Sequence, residues 1–395
     1  MARRTSRPTA SDTHETQTLP AAVRDREKVL VLQGGGALGA YQAGAFTALS
    51  DAGLSPDWVA GTSIGAINCA LIAGNPKGER GNALKTFWER VTKATAGLPF
   101  VPTGAARSQW NTAAAMGAMF FGVPGFFSPR MPGSAFSPFR SPDAVSVYDT
   151  SPLRETLLEL VDFDLLNDGP VRVSLGAVNV ENGNMVYFDS ETTRLGPEHI
   201  MASGALPPAF APIEIDGALY WDGGLVSNAP LQYVLEEGVR LTNETGNGSP
   251  MLIFQVDLFS ASGAAPRTLG EIEAREKDIR FSSRTRAATQ RMEIAAQVAK
   301  IARSLGDKLP AEWRDDPDLK RLMNVAANTD VTLLHLIYRQ TAYENGQKDY
   351  EFSRASMREH WQAGERDVRR IHAKADWDVL LAHGEGMKSF DLGRQ

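Results

Sequence analysis

The stretch Gly34-Gly35-Gly36-Ala37-Leu38-Gly39 is a glycine loop that fits two unrelated chemistries. Gly34, Gly36 and Gly39 satisfy G-x-G-x-x-G between a strand and a helix, the setting in which backbone amides cradle the pyrophosphate of a dinucleotide. The same amides are suited to hold the oxygen that turns negative when a carbonyl carbon is attacked. A second stretch, Gly61-Thr62-Ser63-Ile64-Gly65, bears on the choice. It has the G-x-S-x-G form of a nucleophile elbow, in which flanking glycines (here Gly61 and Gly65) let a strand turn sharply into a helix and project a serine hydroxyl. In the dinucleotide reading the second strand would end in an acid that holds a ribose, but Asp57 lies before that strand and not after it. Acyl transfer with Ser63 as the attacking group is the better fit, although a G-x-S-x-G by itself is also satisfied by a turn whose Ser or Thr caps a helix.

A serine hydroxyl needs a partner to take its proton. Of the six histidines, His14 precedes the first strand, His199 falls in the α/β region, and His335, His360, His372 and His383 lie toward the C-terminus. None sits in a glycine-rich loop, and all are read as packing or surface side chains. Asp222 is the stronger candidate, because Tyr220-Trp221-Asp222-Gly223-Gly224 ends an apolar run in a carboxylate and two glycines. A carboxylate is a weak base in water, with a reference pKa of about 3.9. Burial beside Trp221 would raise that value toward what general-base work requires. The competing reading of Asp222-Gly223 is a turn bonded to its own backbone.

These residues need a scaffold. Lys28 to Gln33 reads as a buried strand, Ala37 to Asp51 as a helix, Trp58-Val59-Ala60 as a second strand and Ala66 to Ala73 as a second helix, which predicts a parallel α/β sheet. If the two strands are neighbours, the glycine loop and Ser63 share the carboxyl edge. Residues 94–142 change texture to Gly, Pro, Phe, Met and Ser and are expected to be an insertion. Val171 to Phe188 reads as a hairpin turning at Asn182-Gly183, Ile213 to Trp221 as another turning at Asp216-Gly217, and Met251 to Leu258 as a further strand. The domain is expected to span residues 28–265. Residues 266–395 are expected to form a helical C-terminal extension, with Ile294, Val298, Ile301 and Leu305 on one helix face.

The 395 residues are 43% hydrophobic and 22% charged, which suits a globular protein with a sizeable core. A formal charge of −6 supplies no basic field, so nucleic acid is not expected as a partner. Cys69 is the one cysteine, which leaves no internal disulfide and no zinc cluster. Residues 1–27 are polar, lack a secretory apolar core and are read as a disordered leader; with Cys69 they point to a cytoplasmic protein. Ser108 to Pro129 is uncharged but interrupted by Gln109, Asn111, Gly117, Gly122 and Pro124, so no membrane span is expected.

With the glycine loop, the Ser63 elbow and the Asp222-Gly223-Gly224 segment in this order, the chain resembles the bacterial patatin-like phospholipases over about Lys28 to Ser260. Ala202-Ser203-Gly204-Ala205-Leu206-Pro207 and Asn228-Ala229-Pro230 strengthen the resemblance. It implies a three-layer α/β/α fold and a Ser-Asp dyad without histidine, with Ser63 the nucleophile, Asp222 the base and Gly34-Gly35-Gly36 the oxyanion hole. It also implies hydrolysis of lipid esters without metal or organic cofactor. The family loop commonly reads G-G-G-x-[Arg/Lys]-G, and Leu38 stands here where the cation would be. Two other readings remain: a catalytically silent lipid-binding or scaffold protein, and a dinucleotide enzyme. Residues 108–139, rich in Phe and Met, read either as a lid or lipid-contacting surface at the membrane periphery or as an insertion packed on the domain.

Overall fold

The computed structural model describes residues 19–95, 102–130, 146–245, 249–323, 330–339, 344, 346–382 and 386–391. Its strands are β1 (Glu27–Leu32), β2 (Trp58–Thr62), β3 (Ser128–Pro129), β4 (Tyr148–Asp149), β5 (Arg172–Asn179), β6 (Met185–Asp189), β7 (Ile213–Ile215), β8 (Ala218–Asp222), β9 (Met251–Asp257), β10 (Asp330–Ile337) and β11 (Gly386–Asp391). Nine of them form one sheet in the order β11-β10-β9-β1-β2-β5-β8-β7, with β6 also paired to β5, while β3 and β4 make a separate ribbon. The run from β11 to β5 is parallel; β6 and β8 oppose β5.

The parallel strands are apolar on both faces because helices cover both. Leu30 and Leu32 point into one core with Val59, Phe254 and Leu334, whereas Val29 and Val31 point into the other with Trp58, Ala60, Ile253 and Leu333. The first face is covered by α1 (Gly39–Asp51), α2 (Ile64–Ala73), α3 (Arg80–Val91) and later by α8 (Arg354–Lys374). The second is covered by α6 (Leu231–Thr245) and part of α7 (Leu269–Gly306), which completes a three-layer α/β/α arrangement. Between them in the chain lie α4 (Ala105–Phe121) and α5 (Pro197–Ser203). Among the described residues no helix is long and apolar enough to cross a membrane.

Both expected hairpins form, one between β5 and β6 and one between β7 and β8. The second turns on Asp216 at φ 51° and Gly217 at φ 80°, the left-handed pair that an Asp-Gly turn supplies.

The structure departs from expectation in several places. Residues 19–27 belong to the fold, since Val23 is fully buried and the buried Arg26 is paired with Asp330 of β10; residues 1–18 lie outside the described residues. The segment after residue 265 is largely helical, but it also adds β10 and β11 to the central sheet, and α8 lies flat on α1, so it is not an appendage. There a Cβ on Gly44 would sit 1.9 Å from the Trp361 carbonyl oxygen and one on Gly364 would sit 2.1 Å from that of Tyr41; only glycines allow this approach. The stripe Ile294, Val298, Ile301 and Leu305 is not a packing face but is 40% to 60% exposed. Within residues 94–142, Ala105 to Phe121 is a continuous helix through Gly117, and residues 131–145 lie outside the described residues.

Candidate active site

Strand β5 fixes the centre of the site. Its Gly176 pairs with Thr62 at the end of β2, and the next residue, Ala177, pairs with Asp222 at the end of β8. Both residues also pair with β6, on the other edge of β5, so β2 and β8 share one edge and meet end to end there. Parallel β2 and antiparallel β8 therefore deliver Ser63 and Asp222 to the same point although 159 positions, 222 less 63, separate them in the chain. The Ser63 hydroxyl lies close enough to the Asp222 carboxyl to favour its charged form.

Ser63 stands in the turn from β2 to α2 with φ 57° and ψ −124°, a conformation costly for a residue with a side chain. Its amide donates to the Ser203 carbonyl at 3.1 Å and to the Ser203 hydroxyl at 3.0 Å. The two elbow glycines are needed sterically: a Cβ on Gly61 would come 2.5 Å from the Gly65 carbonyl carbon, and one on Gly65 would come 2.4 Å from the Leu32 carbonyl oxygen. Asp222 is 3% exposed and accepts from the Gly224 amide at 2.7 Å. Burial raises its pKa from 3.8 to about 6, against the opposing pull of the bonds from Ser63 and Gly224. Gly223 lets the chain cross β5, since a Cβ there would lie 2.6 Å from the Gly176 carbonyl oxygen.

The glycine loop lies beside the serine, with the Cβ position of Gly34 only 3.1 Å from that of Ser63. Gly34 is held by Asn228 at both ends: its amide donates to the Asn228 carbonyl at 3.0 Å and its carbonyl accepts from the Asn228 side chain at 2.9 Å. The Gly34 amide is therefore engaged and is not a free donor, which corrects its expected place in an oxyanion hole. Among the described residues the amides of Gly35 and Gly36 donate to no acceptor. Gly36 has φ 54°, which turns the chain into a short 3-10 turn, Gly36–Leu38, leading into α1. Leu38 is fully buried.

Behind the loop runs a chain of buried polar groups. Gln33 accepts from the Leu258 amide at 2.6 Å, Gln42 donates to the Gln33 carbonyl at 2.6 Å, Asn68 donates to Gln42 and Gly39, and Trp88 donates to Asn68. The roles of Ser203, Asn228, Gln33 and Gln42 escaped the sequence reading; a polar residue ending an apolar strand (Gln33) or inside an otherwise apolar helix (Gln42) was the available signal. Among the described residues no histidine bonds to Ser63. His199 accepts from the Gly196 amide, His335 pairs with Asp257 and His360 with Glu344, in keeping with packing roles.

An aromatic cluster lies beside α4. Phe127, Tyr148 and Phe210 are in mutual ring contact, Phe126 meets Phe127 and Phe210, and Phe352, just ahead of α8, joins them through Phe126. A groove of about 320 Å³ runs from Phe352 along α4 between Trp110 and Phe121. Tyr350 lies within the field of the site: burial, then the charges of Asp349, Tyr148 and Asp222, push its phenol up to about 12.

A three-layer α/β/α sheet with its polar residues gathered at the carboxyl edge of the strands belongs to the class that binds ligands at that edge. Within that class, the chain belongs to the patatin-like phospholipase family, whose model matches residues 30–235; a second model, described as patatin phospholipase, matches residues 279–382, which include β10 and α8. The membership supports lipid-hydrolase activity, with lipids as substrates. Among solved structures, VipD from Legionella pneumophila is similar over 93% of this chain and 68% of its own, at 14% identity and a TM-score of 0.37. The type III effector protein ExoU is similar over 86% of this chain and 54% of its own, at 15% identity and a TM-score of 0.25. No curated protein matches the chain in sequence.

Proposed function

We propose that the protein is a serine acyl hydrolase of lipid esters, working through a Ser63-Asp222 dyad. The observation that carries this reading is the convergence of Ser63 and Asp222 beside Gly176 and Ala177 of β5, with the carboxyl so buried that its pKa rises to about 6. Asp222 takes the hydroxyl proton as Ser63 Oγ attacks the ester carbonyl, then gives it to the departing alcohol. Water, deprotonated by Asp222, next attacks the acyl-serine; the acid leaves and the proton returns to Ser63. The Gly35 and Gly36 amides, beside the N-terminal end of α1, stabilise the oxyanion in both tetrahedral states. Roles for Gly61, Gly65, Gly223 and Gly224 follow from the close approaches they allow, and no step calls for a cofactor.

A fluorophosphonate probe should modify wild-type protein at Ser63 and abolish hydrolysis of short-chain acyl esters. Folded Ser63→Ala should show neither labelling nor turnover above background. Labelling at another residue, or wild-type turnover in that variant, would remove Ser63 from the mechanism and favour the silent-scaffold reading.

Lipid-surface contact is the natural extension of this reading, because Met116, Met119, Phe120 and Phe121 project from the end of α4, with Phe120 69% and Phe121 85% exposed. The Tyr148 hydroxyl donates to the Met119 carbonyl at 2.8 Å, which ties this apolar end to the aromatic cluster. Burying each phenylalanine in lipid is worth about 1.5–3 kcal/mol. Phe120→Ser with Phe121→Ser should therefore reduce binding to phosphatidylcholine vesicles at least about tenfold and leave hydrolysis of soluble esters intact. Undiminished vesicle binding would end the idea of this end of α4 as the contact.

A further inference from the structure

The glycine loop is flanked by a part of the chain more than three hundred residues away. Asp349, in the short turn Lys348–Tyr350, sets its carbonyl group against Gly36: a Cβ on Gly36 would lie 2.2 Å from the Asp349 carbonyl oxygen and 3.2 Å from its carbonyl carbon. The Asp349 side chain is in turn gripped by Lys277 of α7, whose ammonium donates to its two carboxylate oxygens at 2.8 and 3.0 Å and to the Gly346 carbonyl at 2.8 Å. Both partners are largely shielded, at 17% and 16% side-chain exposure. The neighbouring Lys348 is tied to Asp278, one residue along α7, at 2.7 Å. The turn therefore sits between a long rigid helix and the loop.

We infer that Lys277 is a positioning residue for the oxyanion loop, acting through Asp349 to hold the Gly36 backbone where its amide meets the reacting oxygen. This rests on the acyl-hydrolase reading above. Gly36 has no Cβ to lock it and occupies a left-handed conformation, so its amide direction depends on what presses against it. The Asp349 carbonyl is that surface, and the Lys277 ammonium fixes the turn that carries it at three acceptor atoms. The pair is an electrostatic clamp between α7 and the loop that stabilises the transition state, with little bearing on substrate affinity.

The test compares Lys277→Met, Lys277→Arg and the exchanged pair Lys277→Asp with Asp349→Lys, each in the full chain. Losing one oxyanion donor costs about 10²–10³ in rate, and a partial misplacement costs less, so Lys277→Met should lower kcat on a soluble short-chain ester about 10–100-fold with KM unchanged. The rate of fluorophosphonate labelling at Ser63 should fall by the same factor, since phosphonylation uses the same amides. Lys277→Arg should restore most of both rates, and the exchanged pair should recover more than Lys277→Met. A folded Lys277→Met with wild-type kcat overturns the inference, as does a loss in kcat that neither Arg nor the exchanged pair relieves. If Ser63→Ala is inactive while Lys277→Met is fully active, only this inference fails; if Ser63→Ala is active, the hydrolase reading itself fails.

Discussion

Asp222→Asn should cost about 10³-fold or more in kcat while making the folded protein more stable at pH 8. The two effects have one origin. In the fold the carboxyl titrates near 6 instead of at 3.8, because burial disfavours its charge more than Ser63 and Gly224 favour it. The neutral acid is thus the form the fold prefers: its contribution is complete below the unfolded pKa and is lost as pH rises through about 6. A shift of this size corresponds to on the order of 3 kcal/mol, all of it lost at pH 8. Asparagine keeps the acceptor for the Gly224 amide and has no charge to desolvate, so urea denaturation at pH 8 should show a gain of about 1–3 kcal/mol that shrinks toward zero by pH 4. Catalysis needs the other form, and wild-type kcat/KM should rise with pH through an apparent pKa of about 6. Equal stability at pH 8, or an activity profile flat from pH 5 to pH 8, would mean that this carboxyl is neither strained by burial nor the base.

The parts of this site that were legible in the sequence are those whose geometry is local. Gly61, Ser63 and Gly65 lie within one turn, and the hairpin turns place Gly183, Asp216 and Gly217 in left-handed conformations that Gly and Asp supply, so their roles can be read at a glance. Asp222 was legible because it ends an apolar strand. What escaped depends on distant partners. Asp330–Ile337 is a strand because a slot beside β9 is open to it, and nothing in the charged, helix-forming sequence around it announces that slot. Gln33 becomes a brace only because the Leu258 amide arrives from 225 residues away. The stripe from Ile294 to Leu305 shows the converse: periodicity names a face of a helix and does not say what covers it.

Gly65→Ala should damage both stability and turnover, and it separates the elbow from an ordinary helix start. A methyl group there lands 2.4 Å from the Leu32 carbonyl oxygen and 2.9 Å from the carbonyl carbon. Both are backbone atoms of β1, in the middle of the sheet, and cannot rotate aside as a side-chain tip would. The alternative is for α2 to lift away from β1, which opens the packing of Ile64, Ile67 and Leu71 and carries Ser63 off the Asp222 carboxyl. Overpacking of this kind costs about 1–3 kcal/mol or somewhat more, and displacement of a nucleophile by about 1 Å costs up to about 10²-fold in rate. Gly81→Ala supplies the contrast on the same side of the sheet: a methyl group on that helical glycine of α3 meets nothing within 4 Å, and the backbone gains about 0.5–1 kcal/mol of helix preference. Thermal melts and ester hydrolysis should therefore show Gly65→Ala low in both and Gly81→Ala at or above wild type in both. Should Gly65→Ala match the wild type in melting and turnover, the elbow would not need the tight strand-to-helix contact by which it aims the serine, and the steric account of the motif would fail with it.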